Sequence, residues 1–415
     1  MKRQVCFLLM CIAALTAAPA QPVADGTMRG DVKSVQLYLS GAEQEMPVLR
    51  MEGDDRMTLE FDVLKAEPEA LQWRIAHCDR DWHRDDLEPN LFLNGLSEGA
   101  VDEYDFSFTT RVDYVHYRAV VPGQWARFTH SGNYVLEVWG DEGTLLTRRF
   151  CVSEQAVRLE ASVVMPYDGI DRDRRQQVDV RLSTTDTRMP LRREYTDVVV
   201  MQNRLDASRR HLEFSGFQGQ TLCYQNRSAN IFYGGNTFRY FDLSNMHTPM
   251  YNVARIDDLG GRLTAMIRPD EVRSGKHYLG EKSLMGGMKV NIWDRENPRL
   301  EADYVWVTLS LPMQQPLLDG EVHVVGALTD WHIDTTSRME YNPRLRAYTV
   351  QLQLKQGYYA YQLLVKGLGL NATRSMTARI EGDHRETPNQ YAVFVYSRTP
   401  SDRADRMIGM GYARP

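Results

Sequence analysis

The chain has 415 residues, enough for several domains, and a formal net charge of −6. A mildly acidic chain has no general attraction for nucleic acid or for anionic lipid, so those partners are not expected. Its five cysteines are too few for a disulfide scaffold.

At the N-terminus Lys2 and Arg3 precede an apolar run from Val5 to Ala18, and Ala18-Pro19-Ala20 follows. That is the order of a secretory signal peptide, with cleavage expected between Ala20 and Gln21. The run is shorter than the ~20 residues of a membrane span, and no later apolar stretch of about 18 residues occurs. Cleavage removes Cys6 and Cys11. The remaining Cys78, Cys151 and Cys223 read as buried thiols, and the sequence leaves open whether two of them pair.

From there the dominant period is two. Apolar residues alternate at Val35, Leu37, Leu39; at Met57, Leu59, Phe61, Val63; and at Leu71, Trp73, Ile75. The pattern returns at Val115, Tyr117, Ala119, Val121, at Tyr134, Leu136, Val138, and at Val178, Val180, Leu182. It closes with Met288, Val290, Ile292, with Val305, Val307, Leu309, and with Tyr348, Val350, Leu352, Leu354. Turn residues separate the runs, as at Pro122-Gly123 and Gly234-Gly235-Asn236. Half-buried strands with regular turns predict an all-β chain of three consecutive immunoglobulin-like β-sandwiches. The expected divisions are a signal peptide at 1–20, domains at 21–153, 154–312 and 313–400, and a tail at 401–415. A transmembrane barrel does not fit. The second face carries Glu60, Arg74, Arg118, Glu137 and Arg181, each costing about 2–4 kcal/mol in lipid.

The densest polar cluster runs from His77 to Asp86. Asp79, Asp81, His83 and Asp85 have the alternate spacing of a calcium loop but lack its glycine and distant glutamate, so a solvated turn flanked by a core Trp82 is expected. No nucleophile elbow, P-loop, dinucleotide fingerprint or zinc-helix motif occurs. No catalytic, cofactor or metal residues are assigned, and no small-molecule substrate is expected. The aromatics Tyr348, Tyr359 and Tyr361 read as core rather than as a sugar platform, because Tyr359 and Tyr361 share the parity of Leu363 and Val365.

An ordered set of segments carries a family resemblance. It includes Leu71-Gln-Trp-Arg-Ile-Ala-His-Cys-Asp-Arg-Asp-Trp82, Tyr104-Asp-Phe-Ser-Phe-Thr-Thr110, Phe238-Arg-Tyr-Phe-Asp242 and Gly326-Ala-Leu-Thr-Asp-Trp331, and extends to residues 406–409. The chain resembles the type IX secretion system plug proteins of Bacteroidota from about residue 30 to the tail. Cys151 and the charged stretch from Asp168 to Arg193 depart from the pattern. The resemblance implies a non-enzymatic periplasmic protein, held at the inner face of the outer membrane by its partner. It implies that this partner is the giant translocon β-barrel, whose pore it seals when no cargo passes. The last domain also resembles early-set (E-set) modules of glucan-active enzymes, which gives glucan binding as the alternative. The candidate partner contacts are loop aromatics that look exposed: Trp82, Trp125, Phe217 and Tyr233.

Overall fold

Residues with period-two patterning form strands, and the strands assemble into open, mostly antiparallel sheets stacked face to face in three sandwiches. The computed structural model describes residues 21–43, 45–167, 169, 172–184, 191–280, 284–369 and 375–415. The expected signal peptide, with Ala20, lies outside the described residues.

In the first domain one sheet runs Gly26–Thr27, Gly143–Ser153, Gly132–Gly140, Gln72–Cys78, Glu98–Ala100, with Val48–Arg50 parallel to Gly143–Ser153. The facing sheet runs Val32–Leu39, Met57–Val63, Val115–Val121, Glu103–Phe106. Alternate residues of both inner faces, among them Leu59, Phe61, Tyr117, Leu136 and Phe150, form one buried core. Each such side chain contributes about 1.5–3 kcal/mol by leaving water.

The second domain is discontinuous. Its first sheet joins Val157–Val164, Arg175–Thr184, Thr221–Tyr224 and Gly216–Gln218, with Ile231–Tyr233 on Arg175–Thr184. Its second sheet pairs Thr196–Gln202 with Tyr391–Ser397, and Tyr391–Ser397 with Arg406–Ala413. One core draws on residues 157–232 and on Tyr391, Val393, Val395 and Ile408. The third domain is inserted between these parts. In one of its sheets Tyr304–Pro312 pairs along its whole length with Ala347–Lys355; in the other Gly357–Gly367 carries Arg239–Asp242, Met288–Val290 and Gly320–Val325.

The division expected at residue 312 is therefore corrected, because it cuts through a sheet. The expected tail at 401–415 is corrected too, because it contains the last strand of the second domain. Pro312 occupies the final position of its strand, where a missing N–H is tolerated, and so mimicked a linker. The true crossing lies at Gly234, where the two connections to the third domain touch. A Cβ there would fall 2.1 Å from the His384 carbonyl oxygen, so only glycine fits.

The centre of the junction between the first and second domains is apolar. Cys78, Trp82, Val135 and Cys151 of the first pack on Val199, Met201, Ala392, Phe394, Tyr396 and Met407 of the second. Gly132–Gly140 and Tyr391–Ser397 are thus buried on both faces. The three described cysteines are free and buried. Cys78 and Cys151 flank Asn133 on opposite neighbouring strands, a separation of roughly 9.5 Å that no disulfide spans. Burial pushes both thiols up to about 12, so they stay protonated.

The junction between the first and third domains is polar. The Asp62 carboxylate, fully buried, accepts from Lys355 Nζ at 2.6 Å, from the Tyr304 hydroxyl at 2.6 Å and from His116 Nδ1 at 2.7 Å. Lys355 also donates to the Arg299 carbonyl at 2.6 Å and lies 4.2 Å from the Tyr114 ring centre. Burial alone pushes the Asp62 carboxyl up, but Lys355 and His116 outweigh it and hold the group below its ordinary range. The first domain is thereby clamped on two sides.

Candidate functional site: an exposed apolar tip on the first domain

Leu93–Asn94 and Arg127–Phe128 form a two-stranded ribbon beside the first sandwich. Past the ribbon Gly95 comes against Ala126, so Leu96 and Trp125 are the next residues along the two adjoining turns. Gly95 adopts φ +130°, and a Cβ on it would come 2.8 Å from the Ala126 Cα, so the two turns meet closely. That approach sets the two most exposed large apolar residues of this domain on adjoining turns at one tip. Trp125 is 86 % exposed and Leu96 is 76 % exposed. Phe92, Leu93 and Phe128 root the ribbon in the domain core. Arg56 fixes the Trp125 turn by donating to the Gln124 and Ala126 carbonyls at 3.2 and 3.3 Å, and Arg127 pairs with Asp54. An apolar centre with a charged surround is the composition of an interface hot spot.

The other sequence candidates do not join this tip. Trp82 is corrected: it is a junction core residue, 4 % exposed, with the Arg149 guanidinium 4.7 Å from its ring centre. Its φ of +69° is unusual for a bulky residue, and the turn that imposes it aims the indole at the second domain. Phe217 is 63 % exposed on the short strand Gly216–Gln218 of the second domain, edge-on to Phe214 at 4.9 Å. Tyr233 is half-buried beneath the Arg175 guanidinium, in a cleft of about 530 Å³ also lined by Phe238 and Trp331. Leu96 escaped the sequence reading because a single leucine in a turn carries no pattern.

The acidic turn at His77–Asp86 also departs from expectation, for it docks on the second domain instead of facing water. Arg80 N–H donates to Asp405 at 2.9 Å, Arg80 pairs with Asp197 at 3.5 Å, and Asp81 lies 3.3 Å from His211 and 3.6 Å from Arg209. The Asp79 carboxylate accepts the Asp81 and His83 amides at 2.9 Å each, so the spacing that imitates a calcium loop serves to fold the turn. Among the described residues no group of three or more side chains is placed to hold a metal.

Two arrangements imitate catalytic sites. Ser337 Oγ lies 2.9 Å from His323 Nδ1, and Glu321 lies 3.7 Å from His323 Nε2. Ser337 and His323 are fully buried, however, and the serine hydroxyl also contacts the Asp334 amide and carbonyl. His77 Nδ1 lies 2.6 Å from Asp85, but its ring is enclosed by His130 and Tyr134. Neither offers a substrate an approach to the nucleophile or base. Tyr359 and Tyr361 are 2 % and 1 % exposed and belong to the third core.

Residues 32–154 match the family described as the type 9 secretion system plug protein 1st domain, a span that contains the whole ribbon and its tip. Over that span the chain is similar to the first domain of the plug proteins. No curated protein matches. A hypothetical protein from Parabacteroides merdae ATCC 43184, solved by crystallography at 2.30 Å resolution, is 26 % identical with a TM-score of 0.90. The similarity covers 95 % of this chain and 100 % of that one, so the solved protein shares the three-sandwich fold. No described helix is long and apolar enough to cross a membrane.

Proposed function

We propose that this chain acts without catalysis in the periplasm, binds the inner side of the type IX translocon barrel and closes its pore while no cargo passes. The observation that carries the proposal is the Trp125–Leu96 tip, exposed on the domain that matches the plug family. A stopper must also resist deformation. The apolar junction around Trp82 and the ionic cluster around Asp62 supply stiffness, because each spans two domains. A stable complex of this kind buries on the order of 1,200–2,000 Å², with the tip as its anchor.

The test is outer-membrane permeability to a bulky antibiotic, in strains with and without this gene, each with the translocon present or deleted. Loss of the gene is expected to raise permeability only where the translocon is present. An equal rise in both backgrounds contradicts the plug reading. Glucan binding loses support, because Tyr348, Tyr359 and Tyr361 lie in the core.

A further inference from the structure

We infer that the edge strand Glu103–Phe106 of the first domain receives an extended segment of a partner chain, one that alternates basic and apolar residues. Glu103–Phe106 is the terminal strand of its sheet and pairs only with Val115–Val121 among the described strands. All four of its residues are exposed.

The direction of its backbone groups follows from the neighbouring bonds. Ser107 N–H donates to the Tyr114 carbonyl at 2.9 Å, one step beyond the Phe106 and Val115 pair. Antiparallel pairs alternate, so Glu103 and Asp105 also bond toward Val115–Val121. Tyr104 and Phe106 then direct their N–H and C=O groups outward. Phe108 obeys the same alternation, for its outward N–H reaches the Leu300 carbonyl of the third domain at 3.1 Å. The edge is thus closed at Phe108 and open at Tyr104 and Phe106. It carries no lysine, proline or bulge, and its protection lies in its short length and its two acids, which repel an acidic strand but not a basic one.

The cross-strand rows specify what an added strand must bring. On the inner face, Phe61, Tyr117 and Tyr104 stand in register across three strands. Their exposure rises from fully buried at Phe61 and Tyr117 to 42 % at Tyr104. Phe106 ends the next such row, 52 % exposed, after Val63 and Val115. An apolar side chain on a further strand extends both rows. On the other face, part of which meets the third domain, the first row alternates in charge. Glu60, Arg118 and Glu103 stand in register, with Arg118 bonded to Glu103 at 2.9 Å, and Asp62, His116 and Asp105 form the parallel row. Both rows end on an acid, so the next position favours Lys or Arg. A second copy of this chain fits poorly, because its own Glu103 and Asp105 would add acids to acidic rows. Strand addition supplies affinity through the outward backbone groups and selectivity through these alternating side chains.

The test uses the chain from residue 21 onward and a labelled peptide of about nine residues alternating lysine and valine. Amide exchange read residue by residue should slow at least tenfold at Tyr104 and Phe106 with the peptide present. At Asp105, already bonded within the sheet, it should not change. A glutamate–valine peptide should bind at least tenfold more weakly. Glu103→Lys with Asp105→Lys, both at the surface, should reverse that order. Phe106→Pro removes one outward N–H and should weaken binding by a similar factor. Equal binding of both peptides, or protection that misses Tyr104 and Phe106, overturns the inference. So does a concentration-dependent dimer of the unliganded chain that Phe106→Pro abolishes, since the edge would then belong to a second copy. The Trp125 tip takes no part in this pairing, so failure here leaves the proposed plug function standing.

Discussion

Trp82 and Trp125 belong to the same domain, and each sits in a turn among polar residues, yet one is 4 % exposed and the other 86 %. The difference lies in what meets the turn. The Trp82 turn is met by the second domain, through residues far away in sequence such as Phe394, Tyr396 and Met407. The Trp125 side chain instead stands exposed, although the base of its turn is held by Arg56 and rooted in the core through Phe128. One tryptophan therefore holds the molecule's own parts together, and the other stands exposed, as the proposed function requires of an anchor.

Substitutions separate the two regions. Trp82→Ala opens a cavity at the junction and is expected to cost about 3–5 kcal/mol in denaturant unfolding. Lys355→Met, at the other junction, leaves the Asp62 carboxylate buried without its cation. About 3 kcal/mol should be lost, and the double variant Asp62→Asn/Lys355→Met should recover most of it. Trp125→Ala should change stability by less than about 0.5 kcal/mol. It should instead weaken binding to the translocon by about 2 kcal/mol, roughly 30-fold.

The smallest effect concerns pH. A hydrogen bond to Asp197 raises His211 above its ordinary value, and the nearby Asp81 carboxylate adds to the shift. A raised folded value means this contribution is fully present below the unfolded value of about 6.5 and fades as pH rises through the folded value. The melting-temperature gap between the wild type and His211→Gln should therefore narrow from about pH 6 to about pH 9. A gap that widens with pH removes His211 from the docking of the His77–Asp86 turn. His211 is half-exposed, so the gap itself should be small.

The sequence made the strands legible because the two faces of most of them differ in polarity, even where both are buried, as where Thr58, Glu60 and Asp62 alternate with Met57, Leu59, Phe61 and Val63. Tyr348 and Leu354 are buried, with Val350 and Leu352 packed against them, as alternation requires. The signal is lost where both faces carry apolar side chains. Tyr391–Ser397 is apolar at nearly every position and was not read as an element at all, so the return of the chain to the second domain went unseen. Domain divisions failed for the same reason, since pairing between residues 196–202 and 391–397 has no local signature. The tip was half legible: Trp125 stands out by type, whereas Leu96 is identified only by its exposure and by the approach of Gly95 to Ala126 beside it.

The most direct measurement is the affinity of the purified chain for the detergent-solubilised translocon barrel, compared between wild type and Leu96→Ser/Trp125→Ser. The double variant should keep the wild-type melting temperature and bind at least about 30-fold more weakly, a loss of about 2 kcal/mol. An unchanged affinity in a fully folded double variant would show that the barrel is held by some other surface.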